Sequence, residues 1–207
     1  MRLLLLTVLV VLALGVGLAA GHAVLSHAGA NPQGRSAIAD RLSAISRTIS
    51  HRDDVRVVCG ATGDPGVLGF VNFYGDRPGN ETVIAARLCA VLERVHRHPD
   101  ALPSLGCTRL GGGSCPQPVI DLAWAASALA HESFHLGGIR DEAAAECYGL
   151  QTTAFVLERL GAPASYAAAL GDYTFWNIRP PVDAGYFSSE CRNGGALDLH
   201  PASDVWP

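Results

Sequence analysis

Residues 119–136 read VIDLAWAASALAHESFHL, and their reading decides the fold. The run is long, apolar and rich in alanine, which predicts a helix buried on nearly all sides, and Gly137-Gly138 end it as helices commonly end. Two histidines and a glutamate, His131, Glu132 and His135, stand out from the Ala and Leu around them. Buried polar groups need partners, and a metal ion would supply them. Residues four apart share a helical face, so both imidazoles can reach one ion while Glu132 projects beside it. Hydrolytic zinc chemistry needs this arrangement. Zinc lowers the pKa of a water it holds from about 15.7 to roughly 7, and a neighbouring carboxylate can then take the proton and deliver it to a leaving amine.

Working outward, Ser36 to Ile49 places Ile38, Leu42, Ile45 and Ile49 at helical spacing, an amphipathic helix. Val55 to Cys59 and Val67 to Tyr74 are rich in β-branched and aromatic residues, with Gly63, Asp64, Pro65 and Gly66 between them, and read as two strands joined by a turn. Val83 to His96 carries Ile84, Leu88, Val91, Leu92 and Val95 on one side and predicts a second helix, broken at Pro99. Leu102 to Pro118, with Gly111, Gly112 and Gly113, reads as a loop. Beyond the central helix, another is expected from Asp141 to about Leu160, closed by Gly161 and Pro163, and a short one from Ser165 to Trp176. From Asn177 the tail is rich in Pro, Gly and Asp, and no internal repeat is present. The expected fold class is α+β: one mostly helical domain, residues 35–207, with a small β-sheet.

The 207 residues are 49% hydrophobic with a formal charge of -4, enough apolar content for one packed core. All 15 basic residues are scattered arginines, so no basic stripe exists to hold nucleic acid, and the Lys-free, Ala-, Arg- and Gly-rich composition fits a GC-rich genome. Met1-Arg2 followed by the apolar run Leu3 to Ala20 reads as an export signal or N-terminal membrane anchor over residues 1–23. Residues 24–34 then form a linker, and the remainder is expected outside the cytoplasm, with the membrane engaged only through the N-terminal segment. Six cysteines follow, Cys59, Cys89, Cys107, Cys115, Cys147 and Cys191, an even number in a chain routed to an oxidising compartment, so disulfides are the default. No Cys-x-x-Cys occurs, which argues against a zinc ribbon. Spacing does not determine the pairing; Cys147 with Cys191 and Cys59 with Cys89 are the working pairs.

A third ligand is available just past the chain reversal, where Asp141, Glu142 and Glu146 open the next helix and Glu142 and Glu146 share a face. The His-Glu-x-x-His helix followed by Asp141-Glu142-Ala143-Ala144-Ala145-Glu146 resembles the gluzincins, the thermolysin-like zinc metallopeptidases, in a minimal form within an actinobacterial exported protein. The likeness covers about residues 119–160. It implies His131, His135 and Glu142 as zinc ligands, Glu132 as the general base, and Glu146, in place of the usual Asp, as the acid that orients a ligand His. His131 to Asp141 also fits an Asp-bearing metzincin pattern, which would make Asp141 the ligand. The only Met is Met1, so no Met turn is available, and Asp141 makes a good helix N-cap. Glu142 is therefore preferred and Asp141 is the alternative.

His51, His96 and His98 lie among arginines and are expected to face solvent. His200, Tyr148, Tyr173 and Tyr186 are weaker candidates for stabilising an oxyanion, with no spacing that singles one out. The resulting expectation is an exported zinc-dependent peptidase acting on a peptide or protein substrate; the alternative is a non-catalytic, disulfide-stabilised zinc protein of the envelope. Two His and one Glu leave a coordination position open, where a structural site would have four protein ligands, and this favours the enzyme. Sequence does not determine the oligomeric state.

Overall fold

The computed structural model describes residues 37–110, 115–178, 185–203 and 206; the expected export segment, the linker and the Gly111–Gly113 run lie outside them. The described elements are, in chain order, α1 (Ala37–Ser50), β1 (Arg56–Gly60), β2 (Gly69–Tyr74), β3 (Arg77–Ala85), α2 (Ala86–Arg97), α3 (Gln117–Leu136), α4 (Glu142–Leu160) and α5 (Ala164–Asn177). A 3-10 turn at Gly106–Leu110 interrupts the expected loop ahead of α3. The fold is α+β, mostly helical with one three-stranded sheet. Among the described residues no helix is long and apolar enough to cross a membrane.

Helix α3 is the organising element. It touches α1, α2, α4, α5 and both β2 and β3, and Val119, Leu122, Ala123, Ala125, Ala126, Leu129, Ala130 and Leu136 along it are all buried. Its alanines matter as much as its leucines, because small side chains let neighbouring elements approach the helix from several directions. Each buried Leu contributes about 1.5–3 kcal/mol of transfer free energy.

Both β-branched runs are strands, but they do not pair with each other. One expectation is corrected, in the strand that lies between them. The sheet order is β1-β3-β2, with β1 parallel to β3 and β2 antiparallel to it, so a third strand separates the two. That strand includes Val83, Ile84 and Ala85, which helical spacing had assigned to the following helix; Ile84 is fully buried, but from the sheet. Strand β3 begins Arg77, Pro78, Gly79, Asn80, Glu81, with little intrinsic β-propensity. Its place comes from pairing on both edges, supported by the Thr82 hydroxyl, which donates to the Phe70 carbonyl at 3.0 Å.

Three disulfides brace this frame. Cys59–Cys89 ties β1 to α2, Cys107–Cys115 closes the segment before α3, and Cys147–Cys191 fastens α4 to the C-terminal tail. Each contributes on the order of 2–4 kcal/mol by restricting the unfolded chain. Free cysteines are absent, as befits a domain folded in an oxidising, extracytoplasmic environment.

Arg52 holds the end of α3 in place. One guanidinium nitrogen donates to the Leu136 carbonyl at 2.8 Å and the Gly79 carbonyl at 2.9 Å, joining the helix terminus to β3, while Asp54 accepts from the rest of the fork. A cation at a helix C-terminus also offsets the partial negative charge there.

Candidate metal centre

The last turns of α3 present His131 and His135 toward the start of α4. The chain reverses at Gly138, whose φ of 102° suits glycine. Asp141 then caps α4, its Oδ1 accepting from the Ala144 N–H at 2.8 Å. Its carboxylate is engaged with helix backbone and is not part of the cluster. Glu142, one residue on, turns the other way: its Oε2 lies 3.2 Å from His131 Nε2 and 3.3 Å from His135 Nε2, and the two Nε2 atoms are 2.9 Å apart.

Both imidazoles are held from behind. His131 Nδ1 is 3.0 Å from Glu146 Oε2, and His135 Nδ1 is 2.5 Å from the Ile139 carbonyl. Carboxylate and carbonyl oxygens only accept, so each Nδ1 carries a proton, and Nε2 of each ring is the nitrogen left to face Glu142, as a donor when protonated and as a lone pair when bare. With both Nε2 atoms bare, these nitrogens and the Glu142 oxygen converge on one point that could take a cation. Tetrahedral zinc at about 2.0–2.1 Å from each ligand would set those atoms about 3.3 Å apart. The observed separations of 2.9, 3.2 and 3.3 Å are close to that requirement. His131, His135 and Glu142 can thus hold a metal ion.

The charges reflect the same crowding. Burial opposes charge on His131, yet hydrogen bonds to Glu142 and Glu146 outweigh it and raise the imidazole to about 9 when protein groups alone are considered. Hydrogen bonds to His131 and His135 hold Glu142 down at about 2. Glu132, only 6% exposed, is pushed up to about 7 by burial, against the pull of the two imidazoles. Its Oε2 is buried without a hydrogen-bond partner.

Two glycines make this packing possible. A Cβ on Gly149 of α4 would meet the His131 backbone nitrogen at 2.9 Å and its Cα at 3.0 Å, so α4 can cross α3 this closely only without a side chain there. A Cβ on Gly69 of β2 would meet Glu132 Cγ at 2.8 Å. Gly149 had a legible signal: Glu142, Glu146 and Gly149 stand at i, i+4 and i+7, one face of α4. Gly69 had a weaker one, a glycine inside a strand-forming run. Neither was singled out from sequence.

An open cleft runs past these groups between β2 and α3. One half, a cavity of about 350 Å³, is walled by Val67, Leu68, Trp124 and Ala128 beside Glu132. The other half, of similar volume, is more polar and is bounded by Phe73, Arg140 and Glu142. Tyr186 borders both, its ring centroid 5.9 Å from that of His131, and burial together with the three nearby glutamates pushes its phenol above the ordinary range. Of the other weak candidates, Tyr148 packs on Phe134, Tyr173 is buried in the core, and His51, His96, His98 and His200 are exposed. The tail that carries Tyr186 is fastened by Cys147–Cys191 and by Gln151, which donates to the Leu197 carbonyl and accepts from the Leu199 N–H. This tail both edges the cleft and staples the terminus.

No known protein family, curated protein or solved structure matches this chain.

Proposed function

We propose that the domain is a zinc-dependent hydrolase of peptide bonds, with a gluzincin-like core. The observation that carries this reading is the convergence of three possible ligand atoms, from His131, His135 and Glu142, beside a buried Glu132 whose Oε2 has no hydrogen-bond partner. Zinc at this point would acidify a water molecule and polarise a substrate carbonyl. Glu132 is suited to take a proton and return it to a leaving amine, because burial places its pKa near neutrality, where acceptance and donation are both accessible. Glu146 and the Ile139 carbonyl fix the tautomer and direction of the two rings. Tyr186, at the cleft wall, is placed to donate its phenolic proton toward a developing oxyanion.

The cleft favours an extended peptide. β2 is an edge strand among the described residues, and its Gly69, Phe70, Val71 and Phe73 line the cleft, so backbone groups of a substrate can pair along it while side chains enter the two cavities. Three protein ligands, leaving a position for water, support catalysis over a closed structural site. We read residues 1–23 as the export signal or membrane anchor, a reading supported by the three disulfides.

The test is elemental analysis of the oxidised chain alongside hydrolysis of a quenched-fluorescent peptide library. About one zinc per chain is expected, lost in His135→Ala and Glu142→Ala and kept in Asp141→Ala. Absence of stoichiometric metal after zinc loading would sink the proposal.

A further inference from the structure

The polar half of the cleft contains one feature that hydrolysis does not require. Arg140 lies in the α3–α4 connection and, among the described residues, is the only lysine or arginine lining either half. Its guanidinium stands 5.3 Å from the Phe73 ring centroid, and Phe73 in turn meets His135 edge-on at 6.1 Å. The cation is therefore two ring contacts from a metal-ligating residue, a reach that a long side chain or one or two residues of an extended peptide cover at about 3.3 Å per residue.

Its present partner is weak. Arg140 donates from one terminal nitrogen to Asp76 Oδ1 at 2.7 Å, but the Asp76 side chain is 98% exposed and that of Arg140 is 55% exposed. An ion pair this open to water holds its members loosely. The planar fork has further N–H groups available, and such forks match carboxylates bidentately. Arg140 is thus the one permanently cationic side chain that the described cleft lining offers to an anionic substrate group.

Resting on the peptide-hydrolase reading above, we propose that Arg140 is a specificity-determining residue that binds a carboxylate of the substrate, so that the preferred substrates are peptides carrying an acidic group on the His135 side of the cleft. Asp76 occupies the guanidinium until that carboxylate replaces it. The carboxylate has two possible sources, an Asp or Glu side chain or a free peptide C-terminus, and both present the same planar anion.

Binding is measured on the full zinc-loaded chain carrying Glu132→Gln, so that affinity is read without turnover, and hydrolysis is followed in parallel on the chain with Glu132 intact. The probes are matched fluorescent peptides: Asp or Glu against Asn or Gln at each position, and free acid against C-terminal amide. An acidic-over-neutral preference of about five- to tenfold is expected, falling toward one in Arg140→Gln and reversing toward basic peptides in Arg140→Glu. Asp76→Asn should raise affinity for the acidic peptides about two- to threefold by removing the competitor, a gain that misfolding could not produce. Which arm carries the preference, internal or terminal, identifies the source. Equal affinity for acidic and neutral peptides, a preference untouched by Arg140→Gln, or no peptide binding at all would overturn the inference. Arg140-dependent binding without hydrolysis by the chain with Glu132 intact would leave it standing and defeat the hydrolase reading instead.

Discussion

The two faces of α3 are built on opposite terms. Toward α1 the helix is held by neutral groups: Ser133 Oγ lies 2.6 Å from the Leu129 carbonyl and 2.8 Å from Ser46 Oγ, so its proton goes to the carbonyl and Ser46 donates in turn. Toward the cleft, a few residues along the same helix, two imidazoles and three carboxylates crowd together, and one buried carboxylate oxygen has no partner. Burial is similar on the two faces, since Ser133, His131, Glu132 and His135 are all below 9% exposed. The difference lies in what the buried polar atoms meet. On one face the Ser133 and Ser46 hydroxyls satisfy each other, with Ser50 Oγ at the end of α1 left unpartnered; on the other, titratable groups crowd around a point that could hold a metal ion.

The largest expected effect separates the faces at Glu132. Glu132→Gln should lower peptide hydrolysis by about 10²–10⁴-fold, the usual contribution of a positioned acid–base group, while zinc content stays near one per chain. The same substitution should stabilise the chelator-treated chain at pH 8 by about 1–3 kcal/mol, seen as a higher Tm. The sign follows from the raised pKa. The folded state keeps the Glu132 proton up to about pH 7 while the unfolded chain releases it near 4.5, so native stability falls across that interval and stays lower above it. Equal Tm values at pH 8 would show that Glu132 is not a strained group and would erase the contrast.

Gly149→Ala comes next. The new methyl would press on the His131 backbone at about van der Waals-forbidden distance, so a loss of about 1–3 kcal/mol is expected together with weaker zinc binding, measured by thermal unfolding and competitive metal titration. A stability loss with unchanged zinc affinity would mean that the helix crossing does not set the ligand geometry.

The pH dependence is a smaller, graded version of the same test. With chelator present, the stabilisation from charged His131 is complete below about pH 6.5 and is lost as pH rises through about 9, and the Glu132 cost acts in the same direction. The chelator-treated chain should therefore lose Tm steadily from pH 5 to 9. Zinc ligation requires bare ring nitrogens, so the rise in Tm on adding zinc should grow over the same range. A zinc-induced rise that shrinks with pH would contradict imidazole ligation. Smallest of all, Ser133→Ala on the opposite face should cost about 1 kcal/mol and leave zinc content and hydrolysis unaltered; loss of metal in that variant would show that the faces are coupled.

Some of this was legible in the amino-acid order because it depends on local periodicity. The Ala-rich run ending in Gly137-Gly138 specifies a buried helix, and a four-residue spacing puts His131 with His135, and Glu142 with Glu146, on common faces whatever surrounds them. The six cysteines in an extracytoplasmic chain call for disulfides. Local pattern misplaced β3, because Ile84 is apolar at a position that fits a helical stripe, and Pro78 to Glu81 form a strand only by pairing with neighbours on both sides. It also passed over Gly69, Gly149 and Arg140, whose importance depends on contacts with residues distant in the chain.

The sequence by itself determined which side chains can act as ligands and which helices present them, since rotation per residue is a property of the backbone. Only the tertiary structure decided that Asp141 turns to its own helix while Glu142 turns to the histidines, that Glu132 is buried without a partner, and that Tyr186 and Arg140 border one cleft. Those outcomes depend on the crossing of α3 and α4, the approach of β2 and the anchoring of the tail, which are long-range packing solutions that no local spacing encodes.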